Sequence, residues 1–113
     1  MMSTAPPLLL THDQARRLQG YIQTYRHYAF ASLPPSTGRN NTLRILQAIQ
    51  GKLIATLDQQ TAVLQLVLTE EEMATLKAIV SELLTLYAKQ PEGVERITTL
   101  GDLAALKRNL KSL

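Results

Sequence analysis

Residues 10–53 read LTHDQARRLQGYIQTYRHYAFASLPPSTGRNNTLRILQAIQGKL, and the order of features in this stretch returns in residues 68–110, LTEEEMATLKAIVSELLTLYAKQPEGVERITTLGDLAALKRNL. At an offset of 58, Leu10, Thr11 and Leu18 match Leu68, Thr69 and Leu76. Ala15/Met73, Tyr21/Ile79, Ile22/Val80, Tyr25/Leu83 and Tyr28/Leu86 keep apolar or amphipathic character. One residue is lost in the loop. At 57 the series continues as Pro34/Pro91, Arg39/Arg96, Thr42/Thr99, Leu43/Leu100, Leu46/Leu103, Ala48/Ala105 and Leu53/Leu110. The matching Pro, Arg and Thr are not core-type residues, so a shared amphipathic pattern alone does not explain them. Two copies are too few for a solenoid, which needs about three units to bury its faces. Two hairpins closing on each other about a pseudo-twofold is the simpler solution.

Each copy opens with a helix start. Thr11-His12-Asp13-Gln14 is a capping box, in which the Thr11 hydroxyl accepts from the Gln14 backbone and the Gln14 side chain reaches back. Thr69-Glu70-Glu71-Glu72 repeats it, with Glu72 in the Gln14 role and three acids where the helix dipole favours them. The first helix is expected to run to about Ala31, with Ala15, Leu18, Ile22, Tyr25 and Ala29 as one stripe. Gly20 weakens it and would suit a close backbone approach. Pro34 ends the helix. A second begins between Ser36 and Asn41 and runs to about Leu57, with Leu43, Leu46, Ile49, Leu53 and Leu57 inward and Ile45 and Ile54 off that stripe. The third runs to about Ala88, with Met73, Leu76, Val80, Leu83 and Tyr87 inward. After Pro91 a fourth begins between Val94 and Thr99, with Ile97, Leu100, Leu103, Leu106 and Leu110 inward. Leu8-Leu10 and Val63-Leu68 precede the two caps and are read as short extended segments that pair as a ribbon.

The prediction is therefore one all-α domain over residues 1–113. It is a four-helix bundle of two pseudo-symmetric helix-loop-helix repeats, about 8–57 and 66–113, with a short two-stranded ribbon. Its length suits one core, not two. No cysteine is present, which excludes disulfides and thiolate metal sites. The apolar run Leu8-Leu9-Leu10 is too short for a signal peptide or membrane span, so a soluble, cytoplasmic protein is expected.

Chemistry is sparse. His12 and His27 are 15 residues apart, with only Asp13 as a nearby carboxylate, which does not suggest converging metal ligands. No phosphate-binding loop, dinucleotide fingerprint or nucleophile motif is present. No enzyme activity, cofactor or small-molecule substrate is expected. Charge is uneven. Residues 1–57 carry Arg16, Arg17, Arg26, Arg39, Arg44 and Lys52 against Asp13 alone, a net of +5, while residues 58–113 sum to −2. Two functions fit. The first is a protein-protein interaction or assembly module, self-associating through Ile45, Ile54, Leu64, Leu66 and Val67. The alternative is a nucleic-acid backbone binder using those six cations, with Tyr21, Tyr25 or Tyr28 to stack on bases. Arg39 and Arg96 stand near the start of the second helix of each copy, where a cation opposes the dipole. Each is expected to reach back to the carbonyls that end the preceding helix or to a carboxylate of the other hairpin; the other reading is an anion site.

Overall fold

A computed structural model describes residues 6–89 and 93–111. Strand β1 (Leu8–Leu10) leads into α1 (His12–Ser32), followed by α2 (Thr37–Leu57), strand β2 (Leu64–Leu66), α3 (Glu70–Ala88) and α4 (Val94–Lys111). The helices pack as a bundle, and the molecule measures 37 × 35 × 24 Å. The short dimension is that of two helix layers. None of the described helices is long and apolar enough to cross a membrane.

The helix boundaries follow from local chemistry. Gln14 N–H donates to Thr11 Oγ1 (3.1 Å) and Thr11 N–H donates to Gln14 Oε1 (2.9 Å), closing the first capping box. Thr69 and Glu72 repeat the arrangement at 3.1 and 2.8 Å. At the end of α1 the Leu33 N–H still bonds Ala29 O (3.1 Å), but Pro34 follows and the helix stops. Ser36 then caps α2, accepting from Arg39 N–H at 3.0 Å.

β1 and β2 pair antiparallel, with Leu8 opposite Leu66, Leu9 opposite Gln65 and Leu10 opposite Leu64. Alternation sends Leu8, Leu10, Leu64 and Leu66 inward, where they are fully buried with Leu18, Ile22, Leu46, Ile49, Leu53, Leu76 and Leu83. Leu68 joins them just before the α3 cap. The ribbon is therefore a floor of the core. α2 packs on both β2 and α3, α1 packs on α2, and α4 lies against α3.

Several expectations need correction. Leu64 and Leu66, expected at an interface, form the buried face of β2. Ile45 is buried too, whereas Ile54 is 56% exposed. These residues are nine apart, which at about 100° per residue places them on opposite sides of one helix. A single neighbour cannot cover both. Ile97, expected inward, is 65% exposed. Spacings of three from Ile97 through Leu100 to Leu103 drift by about 60° each time, so the stripe that reaches the core at Leu103, Leu106 and Leu110 leaves Ile97 outside. Gly20 meets no other atoms within 4 Å of where a Cβ would stand, so no close approach requires it. The readings of Pro91 and of the Arg96 side chain lie outside the described residues.

Candidate interaction surface

Each of the six cations of the first half has a partner within the fold. Arg16 faces Asp13 (3.3 Å) on the surface. Arg17 Nε bonds Asp102 Oδ2 at 2.9 Å, joining α1 to α4. Arg26 donates to Gln50, a buried amide on α2 that in turn donates to Gln23 Oε1 at 3.1 Å. Arg44 donates to Asn41 (2.6 Å) and lines a hollow of about 370 Å³ together with Glu70, Glu71 and Glu72. Lys52 Nζ lies 2.5 Å from Glu72 Oε1, joining α2 to α3. Glu72 is itself buried. Burial pushes its carboxyl up, but the bonds from Lys52 and from the Thr69 N–H outweigh this and leave it below its usual value.

Arg39 does what the sequence suggests. Its Nη1 donates to Leu33 O (3.3 Å) and Phe30 O (3.4 Å), carbonyls at the end of α1. Its guanidinium also sits over the Phe30 ring, 5.4 Å from the centroid. The cation is thus compensated by the negative end of α1 and by an aromatic face. Arg39→Ala is expected to destabilise the fold by about 1 kcal/mol, read as a shift in the urea midpoint. Arg39→Lys should recover only part of this, because an ammonium that reaches the two carbonyls cannot also hold Asn40 Oδ1, as Nε and Nη2 do, and lie flat over the Phe30 ring. A neutral Arg39→Ala would show that solvent satisfies those carbonyls equally well.

The tyrosines act as internal ties rather than a stacking platform. Tyr25 is buried and its hydroxyl donates to Glu82 on α3 at 2.6 Å. Tyr21 donates to Asp102 on α4 at 2.9 Å. Burial, then the Asp102 hydrogen bond, pushes the Tyr21 phenol up to about 12. Burial and Glu82 likewise raise Tyr25. Tyr28 is partly buried and packs beside Tyr25, with ring centroids 5.9 Å apart. The two hydroxyl ties are not legible in sequence, because each joins residues more than 50 positions apart.

Besides Phe30, Ile54 and Ile97, the fold leaves the outer face of the ribbon exposed. Leu9 is 54%, Val63 49% and Val67 51% exposed, with Gln65 between them on the same face. Of the expected interface set, only Val67 and Ile54 are on the surface.

The β2 edge is capped at its centre. The Gln59 side chain pairs with β2 like a missing strand: Gln65 N–H donates to Gln59 Oε1 (3.2 Å), and Gln59 Nε2 donates to Gln65 O (3.3 Å). Its own carbonyl faces His12 Nε2 at 3.3 Å. Thr61 Oγ1 donates to Val63 O at 2.8 Å. Because the Gln65 backbone points to the outside, the opposing Leu9 backbone points to the outside of β1. Pro7, two residues earlier, has no N–H to offer there, and the Thr11 N–H is taken by Gln14. Sequence reading misses the part played by Gln59. Its place in a turn-like Asp-Gln-Gln carries no signal of a bidentate partner six residues on.

Among the described residues, no group of three His, Asp or Glu side chains is placed to hold a metal ion. Comparison with family models, with curated proteins and with solved structures finds no match for this chain.

Proposed function

We propose that this chain is a non-enzymatic, cytoplasmic protein–protein interaction module that docks through the outer face of the β1–β2 ribbon. The observation that supports this is an exposed aliphatic surface, Leu9, Val63 and Val67, on a ribbon whose β2 edge is capped at Gln65 by the chain's own Gln59. Edge capping prevents unspecific strand addition, as soluble sheet proteins commonly arrange, while the face remains apolar. Isolated exposed residues such as Ile97 need no explanation, whereas Leu9, Val63 and Val67 lie on one face of one small element. Binding of a nucleic-acid backbone through residues 16–52 has less support. Arg16, Arg17 and Lys52 already face carboxylates, and Arg39 serves the end of α1.

A photo-cross-linking benzophenone side chain at position 9 or 67, introduced into the protein in the cells that make it, tests the reading. Adducts of discrete mass should form at these two sites and not at Gln47, on the exposed side of α2. Adducts no more frequent at 9 and 67 than at 47 would overturn it.

A further inference from the structure

We propose that the hollow beside Arg26, between α1 and α2, binds a carboxylate carried on a small apolar body. The site shares no residue with the ribbon and does not depend on the reading of that surface.

Gln23, Arg26, His27 and Phe30 of α1 and Leu43 of α2 line an opening of about 230 Å³. Arg26 is the one permanent cation among them. The other cations of the first half have their charge answered within the fold. Arg16, Arg17 and Lys52 face carboxylates, Arg39 serves the carbonyls that end α1, and Arg44 shares its own hollow with three glutamates. Among the described residues, Arg26 meets no carboxylate. Its Nη1 donates to Gln50, its Nε is buried without a partner, and its Nη2 has no partner either. A guanidinium partly withdrawn from water without an opposite charge is stabilised by any carboxylate that reaches it.

A relay of amides fixes the polarity of the lining. Arg26 can only donate, so Gln50 accepts through Oε1. Gln50 Nε2 is then left to donate to Gln23 Oε1, at 3.1 Å. Gln23 in turn offers only its Nε2 to His27 Nε2, 3.1 Å away. His27 Nε2 is therefore the acceptor, and the ring proton sits on Nδ1. The acceptors of the lining side chains, Gln23 Oε1 and His27 Nε2, are engaged inside the relay. Arg26 Nη2 and His27 Nδ1 remain as donors. Gln50 is buried, which holds Arg26 in place before any ligand arrives.

Donors around one permanent positive charge suit a monoanion. The other walls are apolar: Leu43 is partly buried, and Phe30 is exposed with the Arg39 guanidinium over its ring. The hollow is smaller than the roughly 300–1,000 Å³ of most ligand pockets, so it takes a single ring or branched side chain. A free small acid presents that chemistry, and so does the C-terminus of a peptide that ends in an apolar residue.

NMR titration of the isotope-labelled full chain with phenylacetate, phenylacetamide and inorganic phosphate tests the proposal. Phenylacetate should shift the side-chain amide signals of Gln23 and Gln50 saturably and bind at least about tenfold tighter than phenylacetamide. Arg26→Gln should weaken it about tenfold, and Arg44→Gln should leave it unchanged. Phe30→Ala should weaken phenylacetate binding but not acetate binding. A glycyl peptide ending in phenylalanine separates the two sources. Binding of its free acid at least about tenfold tighter than phenylacetate assigns a chain end, and equal or weaker binding assigns the small acid. Circular dichroism melts show which variants fold, and the comparison of acid with amide on the wild-type chain decides the matter without Arg26→Gln. Acid and amide binding alike, phosphate binding as tightly as phenylacetate, or binding that depends on Arg44 rather than Arg26 overturns the proposal.

Discussion

Leu66→Ala is expected to lower the free energy of unfolding by about 3 kcal/mol, the usual cost of emptying a leucine site that cannot collapse. Leu66 is fully buried, paired with Leu8 on one side and covered from above by the helices. Domains of this size are stable by about 5–15 kcal/mol, so one such cavity removes a large part of the total. Urea unfolding should show an earlier midpoint at unchanged slope. The neighbouring Val67→Ala, on the exposed face, should change stability by less than about 0.5 kcal/mol. The contrast is the test. Because side chains alternate with a period of two, a register shifted by one residue would exchange the two results.

Glu72→Ala should be the next most damaging change, at about 2 kcal/mol. Two supports disappear with it. The carboxylate accepts from the Thr69 N–H, closing the α3 capping box, and it holds Lys52 of α2 at 2.5 Å. Glu72→Gln keeps the cap, as Gln14 does in α1, but loses the ion pair. It should therefore cost less than Glu72→Ala. The pH dependence reports the charge-dependent part of both. The carboxyl titrates below its usual value in the folded chain, so its ionised form stabilises the fold above the unfolded-state pKa. That stability is lost as pH falls through the lower folded value. Urea midpoints measured on the acid side of neutrality should fall with decreasing pH in the wild type and less steeply in Glu72→Gln. Equal slopes would mean that the Glu72 carboxyl titrates alike in the folded and unfolded chain. Lys52 is nearly half exposed, so its own loss is softened by rehydration.

Features that act within a few residues are legible in the amino-acid order alone. The Thr11–Gln14 and Thr69–Glu72 boxes, the stop at Pro34 and a start of α2 between Ser36 and Asn41 each depend on neighbours within about four positions; the structure selects Ser36 as the cap. The reach of Arg39 back to Leu33 spans six and is also readable. So is the pairing of Leu8–Leu10 with the segment before the second cap, since both are short apolar runs next to helix starts. The same locality explains the corrections. An apolar residue shows that a surface exists, not what covers it. Ile45 and Ile54 look alike in sequence, yet α3 and its acidic first turn lie on the Ile45 side, and Ile54 stays exposed. Leu64 and Leu66 read as an apolar edge, and pairing with β1 turns them inward. The tyrosine, arginine and lysine partners Asp102, Glu82, Gln50 and Glu72 lie 20 to 85 positions away. Sequence by itself therefore determined the order of the elements and, to within a few residues, the extent of the helices, through short-range hydrogen bonds and periodicity. Only the tertiary structure decided which faces are spent on the core and which remain for a partner, because burial is set by what packs opposite each side chain.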